Sequence, residues 1–92
     1  MTITYSDVVS WQTYFDTTYI FNEINGLVYQ LQGTAQELWL TLEKTPDFST
    51  VINILSQQYP SIPHAKLEAD MISFVQNMQD KGLVKVLVEG QI

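Results

Sequence analysis

Two short segments of alternating apolar and polar residues flank an Asn-Gly pair in the first third of the chain. Thr18–Asn22 and Leu27–Leu31 are rich in β-branched and aromatic residues, which favours strands. Asn25-Gly26 between them is the strongest short signal for a hairpin, because both residues tolerate a positive φ. The pattern predicts an antiparallel hairpin, and a further strand is expected within Val8–Tyr14.

After the hairpin, the apolar residues change to helical spacing. A first helix is expected to begin at Thr34, with Glu37 three residues later completing a capping box, and to end near Lys44. A second helix is expected from Ser49 to Tyr59, capped by Asp47 or Ser49. The inner faces of these two helices are predicted to consist of Ala35, Leu38, Trp39, Leu42, Val51, Ile52, Leu55 and Tyr59.

A third helix is predicted from about Pro63 to Lys81, since proline suits a first helical turn. Gly82 is the expected stop, and "LVKVLV" after it is an extended tail or a final strand. The apolar stripe of this helix is Leu67, Met71, Phe74, Val75 and Met78. Strands followed by helices indicate an α+β fold of winged helix-turn-helix shape, in one domain spanning residues 1–92.

The composition narrows the function classes. Apolar residues make up 46% of the 92 positions, which is enough for a packed core, and no apolar run approaches a membrane span. Ten acidic residues face four lysines, for a net charge of −6. Because nucleic acids and anionic membranes are bound by clustered cations, neither is an expected partner. A chain without cysteine or a signal peptide is expected in the cytoplasm.

Residues for catalysis are sparse. His64 is the one histidine, and Glu68 is its only candidate co-ligand at helical spacing, whereas a zinc site needs three or four ligands. There is no phosphate-binding glycine loop and no nucleophile elbow. The chain is therefore predicted to be non-catalytic, with no metal and no cofactor. Trp11, Tyr14 and Phe15 are either packed under the sheet or exposed as contacts.

An ordered set of motifs runs from Thr18 to Val84. Glu23-Ile24-Asn25-Gly26 is followed by a strand containing the aromatic Tyr29 and by "LQGTAQELW" at the start of the first helix. "TVINILSQQY" and "LEADMISFVQNMQDKGLV" complete the set. In this order the motifs resemble the PqqD-like family, the small proteins of pyrroloquinoline quinone biosynthesis and the related RiPP recognition elements. The first seventeen residues match no motif of that family.

The resemblance implies a three-stranded antiparallel sheet packed on a three-helix bundle. It also implies a peptide chaperone that binds the leader of a ribosomally made precursor peptide by adding it as a strand at a sheet edge. The leader is then presented to a separate modifying enzyme, often a radical S-adenosylmethionine enzyme and in other pathways a protease or cyclase.

Strand addition requires an exposed edge, and "LVYQL" carries no charge that would protect one. The peptide-binding residues are predicted to be those of this strand and of one face of the third helix: Leu27, Val28, Tyr29, Gln30, Leu31, Leu67, Asp70, Met71 and Phe74. Apolar leader residues would insert between Leu67, Met71 and the sheet, and Asp70 or Glu68 would meet a basic leader residue. For the apolar members the competing interpretation is plain core, which is favoured for Phe74.

Two other function classes stay open. A structural or dimerisation module would pair the same edge with its own copy as a homodimer. A DNA-binding regulator would use the third helix, but Glu68, Asp70 and Asp80 on that helix would repel phosphate.

Overall fold

The computed structural model describes residues 1–88, and Glu89 to Ile92 of the predicted domain lie outside the described range. The elements in chain order are β1 (Thr2–Tyr5), β2 (Val9–Tyr14), β3 (Thr17–Asn22), β4 (Val28–Leu31), α1 (Gly33–Thr41), α2 (Phe48–Gln58), α3 (His64–Asp80) and β5 (Val84–Leu87). β2, β3 and β4 form an antiparallel sheet in that order, and β1 pairs with β5 in a second, two-stranded sheet. The predicted α+β fold with three helices and a three-stranded sheet is confirmed.

The predicted hairpin is present, but its turn differs from the expected one. Only Gly26 has a positive φ, of 74°, whereas Asn25 does not. The loop is longer than two residues, and the Asn22 Oδ1 atom accepts hydrogen bonds from the backbone N–H groups of Ile24 and Asn25. Asn25 contributes through its side chain, which accepts a hydrogen bond from the Leu27 N–H at 2.9 Å.

The capping prediction for α1 is wrong. The helix begins at Gly33, Gln32 is the N-cap, and no side chain makes a capping hydrogen bond. Thr34 therefore lies inside the first turn, where its hydroxyl is past the capping position. The helix also ends at Thr41, three residues before the predicted Lys44.

The other helix ends lie within one residue of the predicted ones, and Pro63, expected in the first turn of α3, is its N-cap. Asp47 caps α2 by accepting a hydrogen bond from the Thr50 N–H at 3.0 Å. It also accepts one from the Thr50 hydroxyl at 2.7 Å, and the hydroxyl bond, followed by the N–H bond, lowers the pKa of the Asp47 carboxyl. Gly82, with φ at 74°, ends α3, and the Leu83 N–H reaches back to the Met78 carbonyl at 2.9 Å.

The two-stranded sheet is the part of the fold that the hydrophobic pattern did not predict. β1 was not expected, and β5 was expected only as a tail or final strand. Ile3 is fully buried, and its N–H donates to the Pro46 carbonyl at 2.8 Å, which ties β1 to the start of α2.

One core holds both sheets and the helices together. Gln36 on α1 donates to the Thr18 hydroxyl on the inner face of β3, and Trp39 packs edge-on against Trp11 of β2. Burial and the Glu43 carboxylate raise the pKa of Tyr5, whose hydroxyl donates to the Trp39 carbonyl. The buried apolar residues are Ile3, Ile20, Leu31, Leu38, Trp39, Leu42, Phe48, Val51, Ile52, Leu55, Leu67, Met71, Val75, Met78, Leu83 and Val84.

Candidate functional site: the β4 edge and the end of α3

β4 is an edge strand. It pairs with β3 on one side, and no other strand among residues 1–88 pairs with it. The Asn22 N–H donates to the Leu27 carbonyl, so Leu27 and every second residue after it direct their backbone groups toward β3. The N–H and C=O groups of Val28 and Gln30 therefore point away from the sheet, and no partner for them is found in the described part of the chain. A peptide strand could pair with these groups.

The side chains of β4 alternate as the sequence predicted. Tyr29 is half-buried and Leu31 is buried, so both face the core, whereas Val28 and Gln30 are exposed on the opposite face. Leu27 precedes the strand and is exposed. The five predicted strand residues therefore lie together, but they divide between the two faces of the sheet.

The four predicted residues of α3 differ in how deeply their side chains are buried. Leu67 and Met71 are buried in the core with 1% and 4% of their surface exposed, and Phe74 is half-buried against that core. Asp70 is exposed and pairs with Lys66 at 3.1 Å, an i,i+4 surface ion pair of small energetic weight. In this structure Phe74 and Asp70 are the members of the set with surface available for contact.

The C-terminal end of α3 lies beside the sheet. The Asn22 side chain donates to the Lys81 carbonyl at 3.5 Å, and the Lys81 Nζ lies 5.3 Å from the centre of the Tyr29 ring. Lys81 thus places a positive charge next to the β4 edge. The sequence pattern did not point to it, because it lies at the helix stop and outside the apolar stripe.

Among residues 1–88 no group of three or more His, Asp or Glu side chains is placed to hold an ion. His64 is exposed at the start of α3. Within the same range no helix is long and apolar enough to cross a membrane.

Of the three N-terminal aromatic residues, one is packed under the sheet and two are exposed. Trp11 is half-buried under the sheet, where its ring lies 4.2 Å from that of Tyr5. Tyr14 and Phe15 are exposed, by 56% and 98%. Strand alternation from Trp11 could have placed Tyr14 on the outer face, because residues 11 and 14 have opposite parity.

Two solved structures share this fold. "TbiB1 in Complex with the TbiA(beta) Leader Peptide" matches with a TM-score of 0.84 and 19% identity over 97% of this chain and 100% of that chain. "Lasso peptide synthetase B1 complexed with the leader peptide" matches with a TM-score of 0.83 and 16% identity over 94% of this chain and 100% of that chain. No curated protein sequence matches significantly.

A family model places the chain by sequence. The model described as "Coenzyme PQQ synthesis protein D (PqqD)" matches residues 17–84, which is most of the chain and includes the hairpin, all three helices and the start of β5. The chain therefore belongs to the PqqD family.

Proposed function

We propose that this chain is a non-catalytic recognition protein of peptide natural-product biosynthesis. It binds the leader of a ribosomally made precursor peptide as an added strand on β4 and presents it to a separate modifying enzyme. The observation that carries the proposal is the edge of β4, where Val28 and Gln30 direct their backbone groups outward. Membership of the PqqD family and a fold seen in two leader-peptide complexes support it.

Pairing at this edge supplies affinity through the backbone. An added strand satisfies N–H and C=O groups that otherwise bond only to water, and this gain depends little on the sequence of the added strand. A leader strand antiparallel or parallel to β4 would exchange hydrogen bonds with Val28 and Gln30. Specificity must then come from side chains next to the edge.

The side chains for specificity lie at the end of the strand and on α3. Phe74 offers a half-buried apolar surface, and Leu67 and Met71 support it from within the core. Asp70 would meet a basic leader residue that replaces Lys66 in its exposed ion pair. Lys81, at the C-terminal end of α3, adds a cation beside Tyr29.

The proposal includes the partner and the compartment. The modifying enzyme is a separate protein, and a radical S-adenosylmethionine enzyme is the class that the family resemblance implies. The site of action is the cytoplasm, where a ribosomally made precursor is available to its modifying enzyme.

Fluorescence polarisation with the labelled leader of the precursor encoded beside this chain tests the proposal. Wild-type protein is expected to bind with a submicromolar dissociation constant. Val28→Pro removes an outward N–H and leaves the bonds to β3 in place, so binding should weaken roughly 10-fold. The matched control is Thr13→Pro on β2, the other edge of the same sheet, whose affinity should stay within about 2-fold of wild type.

Three results would overturn the proposal. If both proline variants weakened leader binding equally, β4 would be excluded as the specific binding edge. If the folded wild-type protein did not bind the leader, leader recognition would be excluded as its function. A wild-type dimer that Val28→Pro converts to monomer, seen by analytical ultracentrifugation without leader, would assign the edge to self-pairing instead.

A further inference from the structure

The outer face of the three-stranded sheet, turned away from the helices, carries several large apolar and aromatic side chains at an exposed surface. We define the outer sheet face as Ser10, Gln12, Tyr14, Tyr19, Phe21, Val28 and Gln30. The cross-strand register aligns Ser10, Phe21 and Val28 in one row and Gln12, Tyr19 and Gln30 in the next.

Besides Tyr14, three large side chains of this face remain exposed in the folded chain. Tyr19 is exposed by 37%, Phe21 by 42% and Val28 by 57%. They line an open groove of about 540 Å³ together with Ser10, Trp11 and Gln12. The rings of Tyr14 and Tyr19 meet edge to face, with their centres 6.4 Å apart. An open groove lined by exposed aromatic and aliphatic side chains is typical of an interaction site on a small domain.

Phe15 extends this surface at the tip of the β2–β3 turn. Its side chain is 98% exposed, and its φ is 55°, a left-handed conformation that is uncommon for residues other than glycine, asparagine and aspartate. Folding gains nothing from burial of this ring, and a glycine would fit the turn better. Strain and exposure at one aromatic residue point to a role in binding.

The charges around the outer sheet face are negative. Asp16 and Glu23 lie in the turns at the two ends of β3, and no lysine or arginine occurs before Lys44. Two of the four lysines are engaged elsewhere, since Lys81 lies over the inward-facing Tyr29 and Lys85 pairs with Asp7 at 3.1 Å. Two copies placed face to face would bring these carboxylates together, and an anionic membrane would be repelled. A partner with basic residues around an apolar centre is complementary.

We propose that the outer sheet face, extended by Phe15, is the docking surface for the modifying enzyme, which meets it with an apolar patch rimmed by lysine or arginine. The proposal rests on the proposed function for the identity of the partner. A leader strand added to β4 would place alternate side chains in line with Val28 and Gln30. The enzyme would therefore contact the leader and the outer sheet face side by side, and leader should tighten docking.

Biolayer interferometry between this chain and the purified modifying enzyme encoded beside it tests the proposal, with and without saturating leader. The double variant Tyr19→Thr, Phe21→Thr keeps strand propensity and removes apolar surface. Docking should weaken at least 10-fold while leader affinity stays within 2-fold of wild type. Leu87→Thr is the matched control, because Leu87 is an exposed apolar residue of β5 outside this face, and it should leave docking unchanged.

Phe15→Gly tests the role of the exposed aromatic ring, and the charge variants test the role of the acidic residues around the outer sheet face. Phe15→Gly should weaken docking and keep or raise the midpoint of thermal unfolding. Asp16→Asn with Glu23→Gln should weaken docking and reduce its salt dependence between 50 and 300 mM. Asn53→Lys with Gln58→Lys is the control, because it changes the net charge by the same amount at exposed positions of α2. It should change neither the docking affinity nor its salt dependence.

Several outcomes would overturn this inference without touching leader recognition. Docking that is unchanged in the double variant, or an enzyme that does not bind wild-type protein with leader present, would exclude this surface. A wild-type dimer abolished by the double variant would make a second copy the occupant. Loss of leader affinity in the folded double variant would assign the outer sheet face to the leader site.

Discussion

Met71 shows how one residue can satisfy a site pattern and still serve the core. It shares a helix face with Leu67 and Phe74, as spacing along α3 indicates, but 96% of its surface is covered. Helical spacing identifies which residues share a face and does not say how deep that face lies. The interpretation of Leu67 and Met71 as core was one of two that the sequence left open.

We expect substitutions at Met71 to act on stability. Met71→Ala should lower the free energy of unfolding by about 2–5 kcal/mol, and Met71→Leu by less than about 1.5 kcal/mol, because leucine conserves volume. Met71→Asp should leave the chain unfolded, since it buries a carboxylate without a partner. Urea denaturation followed by circular dichroism measures all three. A folded Met71→Asp protein with near-wild-type stability would show that the side chain lies at an open surface.

Among the β4 residues, sequence alternation predicted which side chains share a face. It could not place Leu27, which has the parity of Tyr29 and Leu31 but precedes the strand and stays exposed. Nor could it identify Lys81 as a neighbour of Tyr29, because that contact depends on where α3 ends relative to the sheet. Packing between elements decides such positions, and a one-dimensional pattern does not contain it.

At the scale of elements, most local signals held, with the Thr34–Glu37 capping box as the exception, and the long-range strand pairing was not predicted. The Asn-Gly hairpin, the Asp47 cap and the Gly82 stop are set by residues within a few positions, and all three are present. β1 is four residues long and pairs with β5 across most of the chain. β4 is equally short, but the Asn-Gly turn marks where it begins, whereas no such turn signal stands beside β1, so this strand becomes visible only in the folded molecule.

In the absence of any peptide, proline at two adjacent positions of β4 should change the free energy of unfolding by very different amounts. The Tyr29 N–H faces Ile20 in the ladder, so Tyr29→Pro should cost at least about 1–3 kcal/mol of stability through the lost and unsatisfied bond. Val28→Pro removes an outward N–H and should change stability by less than about 1 kcal/mol. Chemical denaturation of both variants makes the comparison. Equal destabilisation would contradict the assignment of outward-facing groups.

At the scale of the whole molecule, charge and apolar surface are distributed unevenly. The three-stranded sheet and its turns contain no lysine or arginine, and all four lysines follow α1 in the sequence. The three-stranded sheet and its turns therefore carry two carboxylates, Asp16 and Glu23, without a side-chain cation, whereas the helical part of the chain carries both signs. Composition indicated an acidic chain, but only the strand register shows that Tyr19, Phe21 and Val28 share an exposed face between Asp16 and Glu23.

The central claim, that a leader adds to the edge of β4, is tested most directly by amide hydrogen exchange. Assigned NMR spectra of this chain, with and without the leader of the neighbouring precursor, report each backbone N–H separately. We expect exchange at Val28 and Gln30 to slow at least about 10-fold on leader binding, while Tyr29, already bonded to β3, changes little. New protection at Val9, Trp11 and Thr13 on the β2 edge, or at neither edge, would contradict the claim.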